Sequence, residues 1–271
     1  MKIAFNLAGE INEQAQHLLI EAGNTALSFI LFNKDPLQIT GVLTANFDEQ
    51  LSDLDRANQA RVLLEKETIL RQNYRTVNIC YNNAESILVP PALFQPDNRK
   101  AMLDIQFGER GDAIICHDHA NGIMNVYRAG KNIDAVLRAF YPMAAIHHAT
   151  SLQWRALQDR GTDMYCIFYH NSFKVFLYKD GALQIVQHFS YHTAADVIYY
   201  LLGCCQAFDV DVNKVDLVVA GMIDERSNLY SELHKYFLQL RFDDPAIQTS
   251  DAIRGLPAHF FSHLMLLSSC V

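Results

Sequence analysis

The chain has 271 residues, half of them apolar and 19% charged, with a formal net charge of −8. That composition excludes a disordered chain, and the length lets it bury roughly three quarters of its unfolded surface. The acidic excess excludes a surface built to neutralise phosphates, because Lys and Arg are scattered, as in Arg71/Arg75 and Arg99/Lys100, with no basic stripe.

No nucleic-acid partner is therefore expected. The N-terminus lacks the apolar core of a signal peptide, and no apolar run approaches the ~20 residues of a membrane helix. Six cysteines (Cys80, Cys116, Cys166, Cys204, Cys205 and Cys270) sit mostly inside apolar patterns. They read as reduced thiols in a cytoplasmic protein with no membrane span.

Along the chain, residues 17–47 form three strand-like runs, HLLIEAG, ALSFILF and LQITGVLTANF, broken at Gly23-Asn24 and at Asn33-Lys34-Asp35-Pro36. A helix is expected from Leu51 to Gln72, with Arg61, Glu65, Lys66 and Glu67 on its solvated face. Strand runs TVNICY and SILVP follow, then a Pro90-Pro91 stop, a helix over Arg99 to Phe107, and strands AIICHDH and Ile123 to Tyr127. A helix from Ile133 to Phe140, strand MAAIHHA and a helix through Trp154 lead to Arg160-Gly161, the expected lobe boundary.

Residues 163–190 then repeat the opening: DMYCIFYH, NSFKVFLYKD and GALQIVQHFS, with a turn at Lys179-Asp180-Gly181. Thr193 with Asp196 three residues on reads as a capping box before the nearly all-apolar helix DVIYYLLGCCQAF. VDLVVAG, ending at Gly221, has the continuous apolar run of a strand covered on both faces. A helix from Ser227 to Leu240, an extended segment near 247–249 and a terminal helix starting near Pro257 complete the chain.

The order strand-strand-strand-helix-strand-helix-strand-helix, twice over, is that of duplicated ribonuclease H-like lobes, the actin-like ATPase fold, with mixed sheets and helices and a cleft between lobes. The expected division is 1–161 for the first lobe, with an insertion near 85–128, and 162–271 for the second. Three segments, LRQNYRTVNICYNNAESILVPPALF (70–94), DVIYYLLGCCQAFDVDVNKVDLVVAG (196–221) and LPAHFFSHLMLLSSC (256–270), resemble the bacterial domain-of-unknown-function family 3822. The resemblance implies the actin-like ATPase fold and a loose kinship with the actin-like proteins of pilus and secretion machinery. It implies no catalytic residues.

An ATPase of this fold needs an Asp followed by Gly at the first hairpin of each lobe, for Mg2+ and for backbone approach to phosphate. The corresponding turns are read as Phe32-Asn33-Lys34-Asp35-Pro36 and Tyr169-His170-Asn171-Ser172, neither of which fits. The glycines that admit adenosine are reduced to Ala220-Gly221-Met222. An ATPase reading would need Asp112, Asp216 or Asp224 to converge on the cleft.

Histidine pairs are weighed as metal ligands: His117/His119 around Asp118, His147-His148, His188/His192, and His259/His263 four apart on a helix. None has a third ligand at metal spacing, so hydrogen-bonded histidines are expected. Asp209-Val-Asp211-Val-Asn213 opens like an EF-hand loop, but Lys214 and Ala220 stand where that loop needs Gly and Glu. Cys116 and His117 are adjacent in sequence, which does not imply that their side chains meet, and thiolate activation would need an electropositive, accessible site.

No catalytic, cofactor-binding or metal residue is assigned, and no cofactor is expected. The aromatic residues Tyr165, Phe168, Tyr169, Phe173, Phe176 and Tyr178 point instead to an unidentified protein partner and permit a homodimer. The expected function is a non-catalytic interaction or scaffold protein lacking the phosphate-binding motifs. The alternative is a divergent nucleotide-binding ATPase or kinase of the actin/sugar-kinase superfamily.

Overall fold

The computed structural model describes residues 1–8, 16–48, 51–158, 161, 163–245, 248–250, 253 and 255–271. Arg160, half of the expected lobe boundary, lies outside them, as does residue 247 of the expected extended segment. The chain forms two compact units: Met1–Ala156 with Ile247–Gly255 and Leu267–Val271, and Leu157–Ala246 with Leu256–Leu266.

The first unit comprises β1 (Lys2–Ala8), β2 (His17–Gly23), β3 (Ala26–Asn33), β4 (Gln38–Asn46), α1 (Asp53–Lys66), β5 (Thr76–Asn82), β6 (Ser86–Val89), α2 (Arg99–Phe107), β7 (Ala113–Ala120), β8 (Ile123–Gly130), α3 (Lys131–Phe140), β9 (Ala145–His148) and α4 (Ala149–Leu157). Its main sheet runs β1-β4-β3-β2-β5-β9. β2, β3 and β4 form an antiparallel meander, and β5 and β9 add in parallel. The central strand β2 is buried except at Gly23, which explains its unbroken apolar run.

α1 buries Ala57, Ala60, Leu63 and Leu64, and α3 buries Val136 and Leu137, in one core with Leu18, Ile20 and Phe29. Ser52 caps α1, its Oγ accepting the Asp55 N–H at 3.1 Å. The helix is shorter than the sequence suggested, stopping at Lys66 and passing into a 3₁₀ turn over Thr68–Arg71.

Asp53 ties the two helices together. Its buried carboxylate accepts the Asn132 N–H at 2.7 Å and the Asn132 Nδ2 at 2.9 Å, satisfying an orphan donor at the start of α3. Gly130 precedes that helix because a Cβ there would fall 1.9 Å from Asp53 Oδ1.

Between β5 and α3, strands β6, β8 and β7 form a separate antiparallel sheet, covered through Leu103 of α2. Asn121 and Gly122 turn β7 into β8 with positive φ at both residues, as a two-residue hairpin requires. Arg128, only 2% exposed, reaches Glu85 at 3.1 Å, Asp104 at 2.5 Å and the Gly108 carbonyl at 2.7 Å, locking α2 to β8.

The second unit comprises β10 (Met164–Phe168), β11 (Ser172–Lys179), β12 (Ala182–Ser190), α5 (Ala194–Ala207), β13 (Asp216–Gly221), α6 (Asn228–Tyr236) and β14 (Gln239–Phe242). Two elements follow: β15 (Gln248–Thr249), which joins the first unit, and α7 (Ser262–Ser268), which the two units share. The sheet order β12-β11-β10-β13-β14, antiparallel then parallel, reproduces β4-β3-β2-β5-β9 strand for strand. The repeat read in the sequence is a repeat of topology.

Asp180 and Gly181 supply the positive φ pair between β11 and β12, and the Thr193/Asp196 capping box starts α5 as expected. α6 ends at Tyr236, short of the expected Leu240, because Phe237 dives into the core and the chain continues as β14.

Gly130→Ala is expected to cost about 1–3 kcal/mol in urea unfolding, the range for overpacking. In an Asp53→Ala background the same change should cost much less, because the atom it strikes is gone. Equal costs in both backgrounds would remove Asp53 as the reason for the glycine.

Candidate functional site: the carboxyl edges of the two sheets

In α/β sheets ligands gather beyond the carboxyl ends of the parallel strands. In the first unit that edge holds the Asn24-Thr25 turn after β2, Asn82 and Asn83 at the end of β5, and His148 leading into α4. In the second it holds the Tyr169-His170-Asn171 turn after β10, Gly221 and Met222, and Asp243 after β14.

One expectation is corrected here. The turn Phe32-Asn33-Lys34-Asp35-Pro36 joins β3 to β4 and so lies at the other end of the sheet. The first hairpin turn of this unit is Asn24-Thr25. It carries no acid, and no residue from Gly23 to Thr25 has positive φ. A Cβ on Gly23 would meet its neighbours at 3.5 Å, an ordinary contact, so the packing does not itself require glycine there.

In the second unit the turn is closed on itself. The Tyr169 N–H donates to the Ser172 carbonyl at 2.8 Å, and the Asn171 carbonyl accepts the Tyr191 N–H at 3.0 Å. Aromatic rings fill the surroundings: Phe168 stacks on Phe173 at 5.4 Å, and Tyr169 lies parallel to His188 at 6.1 Å and edge-on to His263 at 5.6 Å.

Gly221, the surviving glycine, is required by the sheet itself. It has φ +83°, and a Cβ would lie 2.2 Å from the Phe168 carbonyl oxygen. That oxygen accepts the Met222 N–H at 2.8 Å. The neighbouring strand β10 therefore accounts for the glycine by itself.

On the face of β11 away from its α5 core stands Lys174, 1% exposed and opposite His188 on β12. Burial, and then the charge of Lys174, push both His188 and His263 down to about 3, so both rings are neutral at physiological pH.

The first unit's edge is polar. Glu21 accepts from Asn82 Nδ2 at 2.8 Å in a buried pair. Asp118, half-buried on β7, accepts the His148 N–H at 2.7 Å and the Ser151 hydroxyl, at the start of α4. Burial raises its pKa despite those bonds. Asn125 joins the same cluster, donating to Ser151 at 2.9 Å and accepting from Ser86 at 2.6 Å. His148 Nδ1 accepts the Thr150 N–H at 3.2 Å, which leaves the proton on Nε2 to reach the Asn83 carbonyl at 3.2 Å. Every group here orders the helix start and strand ends. Ser151 donates to the Asp118 carboxylate and accepts from Asn125, so its hydroxyl is held inside this network.

The other sequence candidates disperse. His117 contacts Arg99 at 2.9 Å, His119 is exposed, and His147 meets Asn78 at 3.1 Å. His259 and His263 do not share a helix: His259 lies in a 3₁₀ turn, stacked on Phe242 at 4.0 Å and bonded to the Ile223 carbonyl at 2.8 Å, whereas His263 is in α7. Among the described residues no group of three or more His, Cys, Asp or Glu could hold a metal ion.

Asp211 folds back on the Asn213 N–H at 3.0 Å within a turn. Cys116 is raised to about 11 by burial and then Asp134, the reverse of thiolate activation. Asp216 begins β13, at the opposite end from Gly221, and pairs with Arg241 at 2.8 Å. Asp112 pairs with Arg110 at 2.6 Å in the first unit, and Asp224 accepts the Arg226 N–H at 2.7 Å.

The duplicated sheets define the actin-like ATPase fold. It is the fold of a Bacteroides thetaiotaomicron protein of unknown function, which superposes with a TM-score of 0.80 at 18% identity over 97% of this chain and 100% of that one. A chain of a PilM-PilN type IV pilus biogenesis complex matches with a TM-score of 0.63 at 12% identity, over 93% and 97% of the two chains. The ethanolamine utilization protein EutJ from Carboxydothermus hydrogenoformans matches at 0.51 and 9%, over 97% and 93%. Residues 9–240 match the model of the family described as "Protein of unknown function (DUF3822)", and the chain belongs to that family. No curated protein matches it in sequence.

Two measurements probe this site. Because His188 and His263 titrate near 3 in the folded chain and near 6.5 when unfolded, the unfolded state takes up protons first as pH falls. Stability in urea is therefore expected to hold above pH 6.5 and fall between about 6.5 and 3, with a shallower fall in His188→Gln. A pH profile unchanged by that substitution would contradict the assignment. Gly221→Ala should lower Tm sharply, since strain at positive φ alone costs about 1–3 kcal/mol; an unchanged Tm would show that the close approach is dispensable.

Proposed function

We propose that this protein is a non-catalytic interaction or scaffold component that keeps the actin-like ATPase fold as a frame and does not hydrolyse ATP. The observation that carries the reading is Gly221, whose missing side chain makes room for the Phe168 carbonyl at 2.2 Å from its would-be Cβ. The acid-free hairpin turns and the ring-filled surroundings of Tyr169 support it. The PilM-PilN complex supplies a precedent for this fold inside a protein assembly. No helix among the described residues is long and apolar enough to cross a membrane, and six free thiols suit a cytoplasmic setting.

The alternative, a divergent nucleotide-binding ATPase or kinase, draws on Glu21 and Asp118 at the first unit's edge. Both carboxylates are already engaged, with Asn82 and with Ser151 and the His148 N–H.

Thermal unfolding with millimolar Mg-ATP or Mg-ADP separates the two. A ligand at a hundred times its dissociation constant adds about 2.7 kcal/mol, a rise of at least several degrees for a chain of this size. The expected result is no shift. A rise would restore the nucleotide-binding reading.

A further inference from the structure

The two units treat the same sheet edge differently. In the first, the outer edge of β4 is covered along its length: β15 pairs with Gln38 and Ile39, and β1 pairs antiparallel from Gly41 to Asn46. β12 is the topological counterpart of β4, and among the described residues no strand lies on its outer edge. It is nine residues long, without Pro, Asp, Glu, Lys or Arg. Natural edge strands are normally blunted by charge, proline or a cover. A register shift at Leu177/Tyr178 bends only the start of β12, leaving Ile185–Ser190 regular.

The ladder shows which groups face outward. The Tyr191 N–H bonds inward to the Asn171 carbonyl, and bonding direction alternates along an antiparallel strand. Val186, His188 and Ser190 therefore present their N–H and C=O to the open edge. Beside the strand an aromatic shelf runs outward: Phe189 stacks on Tyr200 at 4.3 Å, and Tyr200 meets Tyr199, 74% exposed, at 5.6 Å.

We propose that β12 pairs antiparallel with β12 of a second copy, joining two five-stranded sheets across a twofold axis. The chain itself thus provides, in β1 on β4, the geometry that β12 lacks. A second β12 meets every requirement of the occupant: it is extended, carries none of the charge that would repel an identical strand, and has its own unsatisfied edge. The pairing that matches outward groups and apolar side chains sets Val186 against His188, Ile185 against Phe189, and Gln187 against itself on the axis. Such an interface is isologous and closed, so it stops at two copies.

Light scattering on the full chain at tens of micromolar is expected to give twice the 30.8 kDa of the monomer. Gln187 is exposed, so Gln187→Glu leaves the fold intact while placing two like charges on the axis. It should weaken dimerisation at least tenfold with an unchanged Tm at concentrations where both proteins are monomeric. Gln187→Cys should form an intermolecular disulfide on mild oxidation, since Cα atoms in such a pair sit about 4.5 Å apart. None of the six native cysteines lies on β12, and the wild type should not cross-link. A monomeric wild type overturns the proposal. So does a dimer that Gln187→Glu does not weaken and Gln187→Cys does not cross-link.

Discussion

The meeting of β10 and β13 at their carboxyl ends is a contact of backbone against backbone. Phe168 offers its carbonyl to the Met222 N–H, and Gly221 passes at a distance that no side chain would survive. Much of the second unit's edge follows from that closure. With the strands drawn together, the Phe168 ring is fixed on Phe173, and Tyr191 closes edge-on over both. A glycine at this place in an actin-like sheet looks like a site for nucleotide. Here its freedom is consumed in holding the sheet shut.

The first unit solves the same problem by different means. Its edge is knit by polar groups, Glu21 with Asn82 and Asp118 with His148 and Ser151, where the second unit uses stacked rings. Buried polar networks of this kind are costly when incomplete. Their order explains why carboxylates at a fold's traditional ligand edge need not imply a ligand. Each oxygen of Asp118 already accepts a bond from the helix start it organises.

The fold was legible because its punctuation is local. Asp180-Gly181, the Thr193/Asp196 box and the unbroken apolar runs of β2 and β13 each announce themselves within a few residues. What failed was long-range. β1 is largely exposed and is held as a strand by the ladder that β4 offers it from 33 to 44 residues away, so its own pattern does not mark it. β14 is four residues long and was absorbed into the helix before it. The true first hairpin turn, Asn24-Thr25, carries weaker turn residues than Asn33 to Pro36, and the stronger signal drew the assignment to the wrong end of the sheet. At the candidate site, Gly221 was visible as a lone glycine, but its partner lies 53 residues earlier. Nothing local marks Lys174 as buried; its place opposite His188 in the sheet does.

Duplication gives two copies of one sheet, and the differences between them are more informative than the shared plan. An inserted three-stranded sheet loads the first unit after β5, anchored by the buried Arg128. β1 and β15 seal its open edge. Among the described residues the second unit has neither addition, and its counterpart edge runs uncharged into an aromatic shelf. A free strand edge costs nothing in the folded monomer because water satisfies its N–H and C=O groups. It carries a standing risk of association, which selection ordinarily suppresses with charge. β12 has no such charge over nine residues, although 19% of the chain is charged. The strand that sealed the first edge came from the chain's own beginning, and the same chemistry at the second edge is open to a strand from another molecule.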